Sequence, residues 1–343
     1  MKQLGLWAMG FGTNGGTLNK ILVSRTDGIG DLLLTTPLMH EVKVKYPAAK
    51  IAVLVSKYAE PLLLNNPDVD STIVYDKQNP KALLAALKAE KFDAVVAAYP
   101  RPELAWIFFR AGIPQRYGTA SRWYSIFYNR PVWMSRKKSE KSEADYNIMS
   151  AGKLLGGAAA VKEYYYVTQE EKLNAEKYVK QKGLHSGFII MHPGSKGSAW
   201  NLSEKAYIKL ADELLKNGYR VLLTGGGPEK PMLLRIRDSI MEKRNLFIME
   251  EELTMREFAG IISLAGVLIS GSTGPMHIAA AIGVKTLSFF PPDNIAAMKP
   301  RRWAPLGNKQ VILQPVGNQP KETAMDSIDT QLILAKLKEL TAK

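Results

Sequence analysis

Residues 267–281, VLISGSTGPMHIAAA, pass from a short apolar run through a turn of small residues into an alanine-rich run. Val267 to Ile269 predict a buried strand, and residues 275–282 predict a helix packed on a sheet. His277 would then lie within the first helical turn. Because a helix N terminus presents unpaired backbone N–H groups, this strand-to-helix turn indicates a diphosphate site.

The same alternation of strand and helix runs along the whole chain and predicts parallel sheets with right-handed crossovers. Predicted strands are 21–23, 51–55, 72–75, 94–98, 188–191, 220–223, 246–248, 267–269 and 286–289. Predicted helices are 31–46 with a kink at Pro37, then 57–65, 80–90, 143–155, 170–182, 204–217, 229–242, 255–264, 275–282 and 329–340. Residues 112–141 are expected to form a loop plus one late strand. Thr254 with Glu257 predicts a capping box, and Asn201 with Glu204 predicts another helix cap.

The length of 343 residues is comfortable for two domains. The Gly/Ala-rich run from Gly156 to Ala160 is a natural boundary between them. We therefore expect an N-terminal extension over 1–19, one domain over 20–160, a second over 161–325 and a final helix over 326–343. The apolar start lacks a strongly basic flank and a clear cleavage site, which is untypical of a signal peptide.

Charge and composition narrow the possible partners and chemistry. The net charge is +14, and residues 101–141 hold nine basic side chains against two acidic ones. Such a face favours nucleic acid, acidic lipid or a phosphorylated sugar, although a solvated surface has the same composition. Cysteine is absent and only four histidines occur, none paired at metal-ligand spacing on one helix. Disulfides, a thiol nucleophile and cysteine-ligated metals are therefore excluded, and no metal site is expected.

A second strand-to-helix turn, residues 25–31 (RTDGIGD), follows the first predicted strand. Gly28 and Gly30 allow a tight turn and close approach of a ligand. The spacing is not G-x-G-x-x-G, so a dinucleotide-dependent oxidoreductase is disfavoured. Asp31 opens the helix and has two interpretations: a carboxylate that complements the helix dipole, or a base that takes a proton from an acceptor hydroxyl.

Two further turns belong to the second half of the chain. Residues 192–200 (HPGSKGSAW) combine hydroxyl groups with a lysine, which suits a phosphate, and Ser195, Lys196 and Ser198 are its candidate contacts. Residues 224–229 (TGGGPE) permit backbone approach, and Glu229 could bind ribose hydroxyls. Each stretch is also compatible with an ordinary surface loop or tight turn.

Taken together, residues 21–37, 192–200 and 272–281 resemble the glycosyltransferase family 9 heptosyltransferases, the ADP-heptose:lipopolysaccharide transferases. The resemblance extends over roughly residues 20–340. It implies a GT-B fold, in which two Rossmann-like α/β domains with parallel sheets face a central cleft. It also implies inverting transfer from a nucleotide sugar without a metal or other cofactor.

The resemblance also implies roles for individual residues. Asp31 would deprotonate the acceptor, and the turn of Thr273, Gly274 and His277 would hold the donor diphosphate. Leu253 would lie near the adenine. Many members have an aspartate where this chain has Ser272, and a lysine where it has Ser198, with Lys196 placed earlier. The remaining expected donor contacts are Ser195 and Glu229, and the expected acceptor-side residues are Arg25, Gly28, Gly30 and Arg122.

The expected activity is transfer of heptose from ADP-heptose to a lipopolysaccharide core or related phosphorylated glycan. The expected partners are the nucleotide-sugar donor, an anionic glycolipid acceptor and the inner face of the cytoplasmic membrane, met peripherally by a cytoplasmic monomer. Three alternatives remain at this point: a family member with another donor sugar, a nucleotide-sugar-binding protein without transferase activity, and a nucleic-acid-binding protein. For the nucleic-acid-binding alternative, the sequence contains no recognisable nucleic-acid-binding motif.

Overall fold

The computed structural model of this chain describes residues 18–156, 160–195, 197, 199–307, 309–316 and 320–342. The predicted Lys196 and Ser198 lie outside the described residues, as does most of the expected extension over 1–19. Leu18, the first described residue, is buried in the core.

The first half of the chain alternates strands and helices. Its elements are β1 (Lys20–Arg25), α1 (Ile29–Leu33), α2 (Thr36–Lys45), β2 (Lys50–Val55), β3 (Ser71–Val74), α3 (Pro80–Glu90), β4 (Ala94–Ala97), α4 (Pro102–Arg110), β5 (Gln115–Thr119), β6 (Arg130–Val132) and α5 (Glu143–Ser150). The six strands form one parallel sheet in the order β3-β2-β1-β4-β5-β6.

The second half repeats this plan. Its elements are α6 (Gln169–Gln181), β7 (Ile189–His192), α7 (Glu204–Lys216), β8 (Val221–Leu223), α8 (Lys230–Ser239), β9 (Leu246–Ile248), α9 (Met255–Ile262), β10 (Val267–Gly271), α10 (Gly274–Ile282), β11 (Lys285–Phe289), α11 (Pro300–Trp303), β12 (Gln310–Leu313), α12 (Lys321–Ala324) and α13 (Thr330–Ala342). The sheet is again parallel, in the order β12-β11-β10-β7-β8-β9. Both sheets therefore have the doubly wound order in which the first and fourth strands are neighbours, which confirms the two Rossmann-like units.

The central strands are buried on both faces because helices cover both sides of each sheet. In β1, Ile21, Leu22 and Val23 have no exposed surface, and in β10 the same is true of Leu268 and Ile269. This explains why these strands are continuous apolar runs rather than alternating ones. Among the described residues, no helix combines the length and apolarity that crossing a bilayer requires.

The helix predicted over 31–46 is two helices, so the prediction of one kinked helix is wrong. α1 ends at Leu33, and α2 begins at Thr36 with Pro37 in its first turn. Proline is tolerated there because first-turn N–H groups have no intrahelical acceptor. The break leaves α1 as a helix of five residues with Asp31 in its first turn.

Four other local predictions are wrong. The helix expected over 143–155 ends at Ser150 and is followed by a 3-10 turn, Gly152–Leu154. The helix expected over 57–65 is a 3-10 turn, Glu60–Leu63, and Asn65 follows it with a positive φ of 62°. Residues 112–141 contain two strands, β5 and β6, rather than one. Ser203, not Asn201, caps α7, since its hydroxyl accepts from Ala206 N at 3.2 Å. The capping box of Thr254 and Glu257 is confirmed.

Candidate active site between the two domains

A cleft of about 830 Å³ lies between the carboxyl ends of the two sheets. It brings together residues that are far apart in the sequence, as expected for ligand sites in open α/β sheets. The predicted residues that line it are Gly28, Gly30, Asp31, Ser195, Glu229, Leu253, Ser272, Thr273, Gly274 and His277.

The N terminus of α10 forms one wall of this cleft. Thr273 is the N-cap residue, and its side chain makes no capping hydrogen bond to the helix. Ser272, Thr273 and Gly274 all line the cavity. Because α10 directs the positive end of its dipole to this wall, an anion is stabilised there.

His277 lies in the same wall and is 4% exposed. Its Nδ1 lies 3.1 Å from Oε1 of Glu163, a fully buried carboxylate between the two domains. The opposite edge of the ring contacts Gly30, where a Cβ atom would lie 2.6 Å from Cδ2 of the histidine. Any larger residue at position 30 would therefore force the His277 ring to shift.

Asp31 lies in the first and only full turn of α1, with its side chain 26% exposed. One of its oxygens accepts a hydrogen bond from Nη2 of Arg25. The same guanidinium donates through Nε to Asp27 at 2.7 Å. Although burial lowers it, the pKa of Arg25 is raised overall by Asp27, Asp31 and Glu143, so this cation is permanent. A permanent cation holds the Asp31 carboxylate in one orientation at the edge of the cleft.

Asp27 is the second carboxylate of this turn. Burial raises its pKa to about 6, with a further contribution from the charge of Asp31, while Arg25 opposes the rise. Asp27 does not line the large cleft, unlike Asp31. The two carboxylates therefore differ in both environment and access.

A second cavity, of about 640 Å³, adjoins the first on the side of β5 and β6. Its walls carry the basic side chains Arg122, Arg136, Lys137 and Arg302, together with the buried Arg25. Asp31 and Trp303 are common to both cavities among the described residues. An anionic molecule in the second cavity would therefore meet a molecule in the first beside Asp31.

Glu143, in the wall of the second cavity, connects the two domains. Its carboxylate, 2% exposed, accepts from Arg25 Nη1 at 2.9 Å and from Arg302 Nε at 2.8 Å, and Arg136 Nε lies 3.2 Å away. Burial acts to raise the pKa of Glu143, but the three guanidinium groups outweigh it and hold that pKa below its usual range. Because Arg302 belongs to α11 of the second domain, this cluster is also an interdomain contact.

Glu229 and Leu253 lie at the opposite end of the large cleft. One Glu229 oxygen accepts from Gly226 N at 2.6 Å, which orders the glycine-rich turn after β8. Leu253 lies beside Met249, Met255 and Phe258 in the cavity wall, an apolar end suited to a flat ring.

Several site residues have no signal in the sequence. Glu143 and Glu163 stand in stretches without a motif, and their importance comes from contacts with residues more than 100 positions away. Trp303 and Tyr58 also line the cleft, and Tyr58 Oη accepts a hydrogen bond from Ile29 N at 3.0 Å. A buried acid is detectable only once its tertiary partners are known.

Two Rossmann-like units whose parallel sheets face a common cleft form the GT-B fold. Residues 81–331 match the family model for glycosyltransferase family 9 (heptosyltransferase). The chain belongs to that family, and it is a glycosyltransferase.

Individual relatives agree along nearly the full chain. A Haemophilus influenzae protein described as a glycosyltransferase is 28% identical, with 93% of this chain and 96% of that protein covered. Lipooligosaccharide heptosyltransferase 2 of the same species is 24% identical, with 94% of this chain and 99% of that protein covered. The solved structure of E. coli ADP-heptose LPS heptosyltransferase II has a TM-score of 0.80 at 21% identity, with coverage of 94% of this chain and 98% of that one. That structural match supports the fold.

Proposed function

We propose that this enzyme transfers heptose from ADP-heptose to an anionic lipopolysaccharide-core acceptor with inversion and without a metal. The observation that carries the proposal is the position of Asp31, the carboxylate common to the donor-sized cleft and the basic cavity. A reaction that joins two bound molecules needs a base at their meeting point.

The charge and the shape of the cleft support a position for the donor. The diphosphate would lie at the N terminus of α10, near Thr273, Gly274 and His277, and the adenine would lie at the apolar end near Leu253. The relatives named for ADP-heptose or heptose transfer support this choice of donor. Ser272 stands beside the expected sugar and provides a hydroxyl group for it.

The proposed reaction uses these positions. Asp31 takes the proton of an acceptor hydroxyl, and the resulting oxygen attacks the anomeric carbon on the face opposite the diphosphate. A new C–O bond forms while the bond between that carbon and the phosphate oxygen breaks, so ADP leaves and the configuration inverts. The α10 terminus and His277 stabilise the charge that develops on the diphosphate, the task that a divalent cation performs in other enzymes.

A thermal-shift panel with ADP, GDP, UDP and CDP tests the donor assignment. At a nucleotide concentration 100 times its dissociation constant, the folded state gains about 2.7 kcal/mol. We expect ADP to raise the melting temperature most, and a transfer assay with ADP-heptose to release ADP. Preferential stabilisation by UDP would contradict the heptosyltransferase assignment.

The proposed acceptor is a glycolipid, so the proposal includes binding of the enzyme to the cytoplasmic face of an anionic membrane. An apolar surface formed by Ile126 and the aromatic residues Trp106, Phe109 and Trp123 has 44–78% of each residue exposed. Two guanidinium groups lie over its rings, Arg110 above Trp106 and Arg116 above Phe109, each 5.5 Å from the ring centroid. Interfacial aromatic groups surrounded by basic side chains match a bilayer with anionic headgroups. The same segment lines the basic cavity through Trp123, so docking would present the acceptor to Asp31.

Sedimentation with vesicles tests this surface. We expect binding to vesicles that contain phosphatidylglycerol but not to pure phosphatidylcholine, and we expect Ile126→Ser with Arg110→Glu to weaken binding roughly tenfold. Met241→Ser is the matched control, because Met241 is 95% exposed but lies in the second domain after α8. Equal binding by the control and the double variant would contradict this surface, and a dimer in light scattering would reassign it to a second copy of the chain.

A further inference from the structure

His277 is the point where both domains and the segment between them meet. Glu163 belongs to the segment that connects α5 to α6, and its side chain has no exposed surface. Its Oε1 lies 3.1 Å from Nδ1 of His277, and its Oε2 accepts from the backbone N of Leu306 at 3.0 Å. Gly30, from the first domain, packs against the other edge of the ring.

We propose that Glu163 is a positioning residue that fixes the ring orientation and protonation of His277 for the donor diphosphate. The inference rests on the proposed nucleotide-diphosphate donor and adds a role for a residue between the domains. Glu163 does not line the cleft, so it acts through His277 and does not touch the donor itself.

The argument begins with hydrogen-bonding capacity. An ionised carboxylate only accepts hydrogen bonds, so the contact with Glu163 requires Nδ1 of His277 to carry a proton. The other oxygen of Glu163 accepts a hydrogen bond from Leu306 N, which prevents the carboxylate from rotating away from His277. A buried carboxylate without these partners would be costly, so the pair constrains both groups.

The second step concerns the other ring nitrogen. The ring edge that holds Cδ2 and Nε2 faces Gly30, at 2.6 Å and 3.1 Å from where its Cβ atom would be, and His277 lines the cleft. A phosphate oxygen accepts hydrogen bonds, so Nε2 contributes to diphosphate binding only as a donor. With Nδ1 already protonated, this requires the imidazolium ring, whose charge the adjacent carboxylate balances.

Of the charged residues around His277, Glu163 is the one that can balance the charge of its imidazolium ring. Apart from His277 itself, α10 contains no acidic or basic residue. Asp31, on the facing α1, lines the same cavity but is held by Arg25. Among the described residues, Glu163 is the carboxylate for which a contact with His277 is found.

Nitrogen-15 NMR of the full-length protein labelled at histidine tests the inference directly. The chain has four histidines, so His277 can be assigned from the signals lost in His277→Gln. We expect wild-type protein to show a proton on Nδ1 of His277, and saturation with ADP to give the spectrum of a ring protonated on both nitrogens. If the His277 ring of the wild-type protein is instead neutral with its proton on Nε2, the inference is wrong, and the wild-type spectrum alone decides this.

Calorimetric titration with ADP supplies the second arm. We expect Glu163→Gln to bind ADP about 10- to 100-fold more weakly, the range of a lost hydrogen bond to a charged group, and to lose the doubly protonated signal. Glu176→Gln, an exposed position on α6, is the control and should match wild type. If ADP does not bind wild type, the donor proposal fails. If ADP binds wild type and Glu163→Gln equally, the role of Glu163 fails and the donor proposal stands.

Discussion

Asp31→Asn is expected to lower kcat by about 10²- to 10⁴-fold, the usual contribution of a general base. The asparagine keeps the size of the side chain and can still accept from Arg25, so the turn before α1 keeps its shape. It cannot take a proton from the acceptor hydroxyl. Because the change also removes a negative charge from the cleft that would hold the diphosphate, ADP affinity should stay near that of wild type or rise slightly.

Asp27→Asn is the matched control for this experiment. Asp27 binds the same guanidinium and lies four residues away, but it lines only the basic cavity. We expect its kcat to remain within about tenfold of wild type. Measurement of kcat together with ADP affinity for both variants decides the assignment. Full activity in Asp31→Asn would remove Asp31 from the mechanism, and an equal or larger loss in Asp27→Asn would transfer the role of base to Asp27.

The parts of the site that follow a strand directly were predictable from the sequence. The carboxyl ends of parallel strands meet at one edge of each sheet, so the turns after β1 and β10 had to face a ligand cleft once the alternation was recognised. Asp31, Thr273 and His277 line the cleft for this reason, while their roles in catalysis and donor binding stay predictions. The alternation of strands and helices was therefore enough to predict both the fold and the location of these three residues at the cleft.

What could not be predicted depends on contacts between distant segments. Glu143 and Glu163 are acidic residues in unremarkable stretches, and only the packed domains turn them into partners of Arg25 and His277. The sequence also indicated one strand over residues 112–141 where the structure has two, because β5 (QRYGT) and β6 (RPV) are short and their side chains do not alternate cleanly between apolar and polar. Tertiary packing overrides local preference in such segments.

Glu143→Ala is expected to cost about 3–5 kcal/mol in the free energy of unfolding, the largest stability change predicted for this chain. The alanine removes the carboxylate shared by Arg25, Arg136 and Arg302, whose side chains are only 2–19% exposed. Arg25 keeps Asp27 and Asp31, but Arg302 loses its ion pair with the first domain and retains the 3.5 Å hydrogen bond from Nη1 to the backbone oxygen of Arg136. The cost therefore arises from buried positive charges left without a partner and from a weaker contact between the domains.

The pH dependence separates this explanation from simple loss of packing. The pKa of Glu143 is held below its usual range, so its contribution is complete above the unfolded-state pKa of about 4.3 and is lost as the pH falls through the folded-state value. Denaturant titrations of wild type, Glu143→Ala and Glu143→Gln at pH 7 should show the full difference, which should shrink near pH 3.5. Glu204→Ala, which breaks the exposed pair with Arg235 at 2.9 Å, is the control and should unfold nearly as wild type does. A Glu143→Gln variant as stable as wild type at pH 7 would show that volume and hydrogen bonding, rather than charge, hold the domains together at this point.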